Sequence, residues 1–354
     1  SLLAYHTGWL KVHYTAEFYC GNMTVEMDNT DKLKVLYEDA LRMGITFEMP
    51  DVNRGVHRFE PVTDKVIRYG LGAIKGTGQA AIEAIVAARN GVGTGPNGHE
   101  KGPFKSLFDF CLRVDRSRLN KRTVEALIKG GAFDSIDLNR ASLIATLDVA
   151  MGFAAKSIAN ADQGGLFDMM GDDAVGSSTA EPPMADVLPW GVKEKLTLEK
   201  TAIGFYLTGH LFDEVEAEVR RFVRTPIAEM RDSREAQTMA GIISGLRTIN
   251  GQRGKLSIFT IDDKSMAIEA SVDEKTMAAC VDVLKEDEFV VVSGRLQPDR
   301  FSGGLRMKVQ QMWALSDARC RYARYLQVSV GENMPDVPGL LRQFPAKVEE
   351  TESG

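Results

Sequence analysis

The sequence predicts an α+β multidomain chain: a mostly helical N-terminal half with a helix-hairpin-helix, followed by an OB-type five-stranded β-barrel. Three observations carry this expectation. Apolar residues recur at helical spacing through most of residues 1–221, the period switches to two from Thr238, and an acidic stretch without Lys or Arg occupies 161–189.

Residues 1–56 read as helical. Leu3, Trp9, Leu10, Phe18, Tyr19 and Met23 fall at helix-like intervals, and a further helix covers about 30–43, with Leu33, Leu36, Tyr37, Ala40 and Leu41 on one face. Asn29-Thr30-Asp31 offers its N-cap chemistry and Gly44 its stop. The opening Ser1-Leu2-Leu3-Ala4-Tyr5 reads as mid-helix, so the chain is expected to be a fragment. A short strand near 66–70 lies early in a second helical region, 57–160, interrupted by a loop at 90–102 that holds five glycines. Residues 161–189 are expected to be a flexible linker and 190–236 a helical connector. Strands near 239–246, 255–261, 267–272, 288–296 and 305–314, with one short helix near 274–284, give a barrel over 237–316. Residues 317–354 are left as a separate beginning.

Composition removes several function classes. The four cysteines (Cys20, Cys111, Cys280, Cys320) form no CxxC pair, and the five histidines show no HxxxH spacing, so neither structural zinc nor a disulfide framework is expected. They read as reduced thiols of a cytoplasmic protein. No run reaches the ~20 apolar residues of a membrane span. The net charge of -6 argues against a surface that is basic all over, yet leaves room for a local basic face.

Such a face begins at Leu71-Gly72-Ala73-Ile74-Lys75-Gly76-Thr77-Gly78-Gln79, where a short helix leads into Gly-x-Gly and a second helix follows at once. Two glycines flanking Thr77 let a backbone turn present N–H groups beside a helix N-terminus, a nest suited to a phosphate, with Lys75 adding a cation. The pattern also fits a plain helical connection capped by glycine. Between Lys101 and Gly130 eight Lys or Arg (Lys101, Lys105, Arg113, Arg116, Arg118, Lys121, Arg122, Lys129) face three acids. A solvated helix face explains many charge runs; beside a phosphate nest this one fits a surface that tracks a DNA backbone.

The acidic stretch contains Gln163-Gly164-Gly165-Leu166-Phe167. Large apolar residues in a polar segment have no core to join, which suits a docking anchor. Gln163, Leu166 and Phe167 match the way short peptides dock on sliding clamps; the alternative is a Leu-Phe pair tucked onto its own domain. In the barrel, Arg247, Arg253 and Lys255 make the first hairpin basic, as in OB barrels that hold single strands, while Phe259 reads as core rather than a stacking platform. No catalytic residues are assigned. The pairs Asp262-Asp263 and Asp172-Asp173 have no partner to complete a two-metal site, and no cofactor or metal is expected in this chain.

Taken in order, these segments resemble the C-family bacterial replicases, the DNA polymerase III alpha subunits. The most specific parts are Ala4-Tyr5-His6-Thr7-Gly8-Trp9-Leu10-Lys11, Tyr69-Gly70-Leu71-Gly72-Ala73-Ile74-Lys75-Gly76, Leu119-Asn120-Lys121-Arg122, Gly130-Gly131-Ala132-Phe133-Asp134, Gly204-Phe205-Tyr206-Leu207-Thr208-Gly209-His210 and Val292-Ser293-Gly294-Arg295.

The resemblance implies that 1–56 end a fingers domain and that 57–160 form a duplex-binding and clamp-binding domain, with Lys75, Gly76, Thr77, Gly78, Lys121 and Arg122 at DNA. It implies the beta sliding clamp as partner of 161–189, single-stranded DNA near the OB domain, and the tau subunit of the clamp loader at 317–354. Mg2+ and the catalytic aspartates are implied upstream, in a palm domain this chain lacks, so the chain alone should not polymerise. Gly165 departs from the polar residue usual in the clamp motif, the 90–102 loop is longer than expected, and Lys264 stands where glycine is usual. A freestanding OB nucleic-acid-binding module leaves the helical half and the Gln-x-x-Leu-Phe stretch unexplained. An error-prone paralogue should lack the clamp motif.

Overall fold

The computed structural model describes residues 2–95, 97–167, 180–251, 254–299, 304–322 and 337–343; the side chains at 160–167, 251, 337, 340 and 341 lie outside that description. The chain divides into two compact units, Ser1–Val215 and Glu216–Gly354.

In the first unit α1 (Leu2–His13) and α2 (Thr15–Val25) lead into α3 (Thr30–Arg42), whose N-cap Asn29 accepts from the Lys32 N–H at 3.1 Å. Three short strands follow, β1 (Thr46–Glu48), β2 (Glu60–Thr63) and β3 (Val66–Arg68), in the order β1-β3-β2 with β1 parallel to β3. A 3-10 turn at Leu71–Ala73 and α4 (Gln79–Arg89) form the hairpin region. Then come α5 (Leu107–Arg113), α6 (Lys121–Lys129) and α7 (Arg140–Phe167). Their apolar faces, with Tyr19, Ile82, Phe108, Phe110, Leu127 and Leu147 wholly buried, make one core.

Arg113 corrects the basic run read from the sequence. Its side chain is buried, donating to the carbonyls of Glu100 and Gly102 (both 2.8 Å) and Ala88 (3.1 Å), with Asp109 at 3.2 Å. The guanidinium also stacks on Phe104, 4.6 Å from the ring centre. It therefore ties the glycine-rich segment to α5. Its two terminal nitrogens are satisfied by these acceptors, while Nε finds none, and burial of a guanidinium is tolerable only with most of its donors paired.

Two predicted boundaries move. α7 runs on through Phe167, past the expected start of the linker at 161, and residues 180–189 are bonded to the helical unit rather than free. Ala185 donates to the Thr146 hydroxyl (2.9 Å), Asn139 donates to the Val187 carbonyl (2.7 Å), and Met184 packs on the core. The expected connector 190–236 is also split, because α8 (Val192–Ile203) packs within the first unit. The stretch Arg140–Ala159 is, by length and composition, long and apolar enough to cross a membrane, a run the sequence reading did not find. Here Leu143, Leu147, Ala150 and Ala154 are part of the core.

In the second unit α9 (Glu216–Val219) precedes a closed barrel of β4 (Gln237–Gly251), β5 (Gly254–Asp262), β6 (Ala267–Asp273), β7 (Phe289–Pro298) and β8 (Leu305–Trp313), in the order β4-β5-β6-β8-β7. β6 and β8 pair parallel and the other neighbours antiparallel, as the predicted OB barrel requires. α10 (Glu274–Ala279) lies between β6 and β7 in sequence; α11 (Leu315–Tyr322) and α12 (Val337–Arg342) follow the barrel. Phe259 is buried among Val272, Val290 and Met307, in the core as expected.

Candidate nucleic-acid interface

Gly76 adopts φ +81°, a left-handed conformation open to glycine at little cost, and a Cβ on either Gly76 or Gly78 would meet nothing within 4 Å. The turn is therefore bare on its outer side. Gly78 caps α4, and Ala81 and Ile82 donate back to its carbonyl at 3.0 and 3.2 Å. The N–H groups of Gly76, Gly78, Gln79 and Ala80 donate to no acceptor among the described residues. Four backbone donors are thus left unspent at and just before the N-terminus of α4, its positive end.

The turn is held from behind. The Lys75 N–H donates to the Ala202 carbonyl at 2.7 Å, and the Thr123 hydroxyl in α6 reaches the Gly76 carbonyl at 3.2 Å. That places the α6 N-terminus, capped by Asn120 through the Thr123 N–H (2.9 Å), beside the α4 N-terminus. Sequence reasoning missed Thr123 and Ala202 as parts of this turn. Asn120-x-x-Thr123 was readable as a cap, but nothing local pointed to Ala202.

The predicted DNA-contact residues divide. Lys75 and Arg122 are exposed. Lys121 is exposed but its ammonium lies 2.7 Å from Asp148 and 3.9 Å from Glu125. Asp148, the largest influence, raises its pKa. Thr77 is corrected: its side chain is buried, its hydroxyl lies 2.6 Å from the Ile74 carbonyl and 2.8 Å from that of Leu71, and its N–H donates to Ile74. Both of its donors are spent inside the turn.

In the barrel, Arg247 stands on β4 with Glu269 at 3.3 Å, and Glu269 also takes the Arg306 guanidinium, which the sequence reading did not single out. Lys255 is exposed near the turn end of the β4–β5 hairpin, opposite Asn250, its N–H donating to Glu274 at 3.2 Å. Arg253 and the side chains of Gln163, Leu166 and Phe167 lie outside the described residues. Among the described residues no group of three or more His, Cys, Asp or Glu is placed to hold a metal ion.

Comparison with known proteins agrees with this geometry. Residues 44–143 match the helix-hairpin-helix motif model, and residues 237–315 match the OB-fold nucleic acid binding domain model. The chain is thus of the class that joins a helix-hairpin-helix region to a nucleic-acid-binding OB fold. Over nearly its whole length it is homologous to part of the bacterial DNA polymerase III subunit alpha. It is 43% identical to that subunit from Neisseria meningitidis serogroup B, over 98% of this chain and 29% of the relative. For Pseudomonas aeruginosa the values are 40%, 93% and 29%, and for Escherichia coli O6:H1 they are 36%, 100% and 30%. The chain spans less than a third of the length of these curated relatives. Among solved structures, the second OB-fold domain of replication protein A from Methanococcus maripaludis covers 29% of this chain and 98% of its own, at 15% identity and a TM-score of 0.21.

Proposed function

We propose that the chain is the DNA-holding and clamp-docking part of a replicative DNA polymerase III subunit alpha. The bare hairpin at Lys75–Gly78 takes duplex phosphates, with Lys121 and Arg122 extending the contact. The observation that carries the reading is the set of four unspent N–H groups at Gly76, Gly78, Gln79 and Ala80, with open space where a Cβ on Gly76 or Gly78 would stand. Such a contact positions a duplex without reading its bases. Arg247, Arg253 and Lys255 form the single-strand side of the OB barrel. Lys121 gives up little by exchanging Asp148 for phosphate, since water screens an exposed ion pair.

In the same reading Gln163, Leu166 and Phe167 dock on the beta sliding clamp, and the chain after 317 begins the tau contact. DNA-directed nucleotidyl transfer, with its Mg2+, belongs to the full-length cytoplasmic protein, whose palm aspartates this chain lacks. The chain alone leaves a primer unextended.

The test is fluorescence anisotropy with a labelled primer-template across a salt series. Wild type should bind, and Lys75→Glu with Gly78→Val should lower the affinity and shrink the salt slope by roughly 0.9 for each phosphate no longer neutralised. An unchanged slope would sink the hairpin reading.

A further inference from the structure

Outside the helix-hairpin-helix match, the C-terminal end of α8 and the turn after it grip the hairpin from behind. The Ala202 carbonyl takes the Lys75 N–H at 2.7 Å. Gly204, at φ +107°, caps the helix; a Cβ there would run into Thr30 Cγ2 and would lie 3.1 Å from the Lys75 ammonium. Beyond it Phe205 is buried, with its ring 5.1 Å from Tyr37.

This turn is bolted to the rest of the unit by a buried carboxylate. Glu199 accepts from the N–H groups of Leu207 (2.7 Å) and Thr208 (2.8 Å) and from the Thr208 hydroxyl (2.7 Å). It also faces Arg140 at 3.3 Å, itself buried and paired with Asp134 at 2.6 Å. Arg140 donates in addition to the Lys129 carbonyl (3.0 Å), at the far end of the helix whose first turn holds Gly76. Two helices thus hold the hairpin, one by Ala202 and one by Thr123, and Arg140 with Glu199 fixes those helices to each other. A satisfied buried network of this kind favours one geometry.

We infer that the Glu199–Thr208 segment is a positioning device for the phosphate nest: Gly204 and Glu199 set the place of Lys75 and thereby its contact with duplex phosphate. Neither residue touches DNA. The inference rests on the hairpin reading above. It explains why a segment distant in sequence ends on a left-handed glycine against Lys75.

The test is a double-mutant cycle on duplex binding across a salt series, with folding followed by thermal unfolding. Lys75→Gln should reduce the salt slope by roughly 0.9. Gly204→Ala, and the near-isosteric Glu199→Gln should the glycine variant fail to fold, should give the same reduction in folded protein. Combination with Lys75→Gln should add nothing further, because all three remove the same phosphate interaction. If Lys75→Gln leaves the slope unchanged, the hairpin reading itself falls. If Lys75→Gln lowers the slope while the Gly204 and Glu199 variants leave it intact, or if the effects add, only the positioning inference is overturned.

Discussion

The Thr123 hydroxyl stands 3.2 Å from the Gly76 carbonyl, so α6 carries one side of the hairpin turn although 47 residues separate the two. The same hydroxyl lies 3.2 Å from Asn120 Oδ1, at the cap of its own helix. Thr123→Val keeps the shape and removes the donor. It should cost ~1 kcal/mol, the usual net worth of one hydrogen bond, and weaken duplex binding as the turn loosens. Chemical denaturation and anisotropy on the same samples check both effects. A loss of stability with unchanged duplex affinity would separate the α6 contact from the nest.

Gly76 and Gly78 should behave differently, although neither is crowded. Gly76 needs its positive φ, so Gly76→Ala should destabilise by about 1 kcal/mol. Gly78 has φ −74°, open to any residue, and Gly78→Ala should leave thermal stability unchanged or slightly raised. Yet its methyl stands where phosphate must approach, so duplex affinity should fall. A Gly78→Ala protein that binds duplex as well as wild type would remove phosphate approach as the reason for that glycine.

How far the sequence told this in advance depends on the range of each interaction. The Gly76-x-Gly78 turn and the alternation of β6 were legible because their causes lie within a few residues. Thr77 escapes a local reading because its inward rotation follows from carbonyls that only the folded turn brings together. Arg113 looks like part of a charged surface, although it lies three residues after buried Phe110, on the apolar face of α5; that spacing was the available signal. The connector boundary moves because Glu199 and Arg140 meet across 59 residues. No local pattern announces such a pair. Net charge misled least: exposed Lys75 and Arg122 survive as local features of a chain at -6.

Arg113 yields its own prediction. Arg113→Ala would leave several carbonyls of the 88–103 segment without donors and open space beside Phe104. A loss of about 3 kcal/mol is expected from a broken buried charged network. Hydrogen exchange should speed in residues 90–102 first. Arg113→Lys should rescue little, since one ammonium cannot serve the same forked set of acceptors. If Arg113→Lys matches wild type in melting temperature and exchange, the guanidinium's geometry is not what orders the segment.

Asp263 is one of the carboxylates through which acid should reach the barrel unit. Its side chain is fully buried in the β5–β6 turn, where it accepts from Arg220 (2.7 Å), the Ile227 N–H (2.9 Å) and Ser265. Burial alone would raise its pKa, but the bonds from Ser265, Arg220 and Ile227 outweigh it and hold the carboxyl below the usual carboxylate range. A carboxyl with a lowered pKa binds its proton more weakly folded than unfolded. Its contribution is therefore complete above the unfolded value of ~3.9 and is lost as pH falls through the lower, folded value. The next residue, Lys264, adopts φ +73°, a conformation unfavourable for a lysine; its N–H donates to Asp262 at 2.8 Å. Asp263→Asn should remove the acid-dependent part, flattening the stability–pH curve below about pH 4, and should cost roughly 3 kcal/mol at neutral pH by leaving Arg220 without its buried partner. Denaturant melts of wild type and Asp263→Asn between pH 2 and 7, followed by barrel circular dichroism, separate the two effects. Parallel curves over the whole range would mean that Asp263 is not one of the carboxylates that acid reaches.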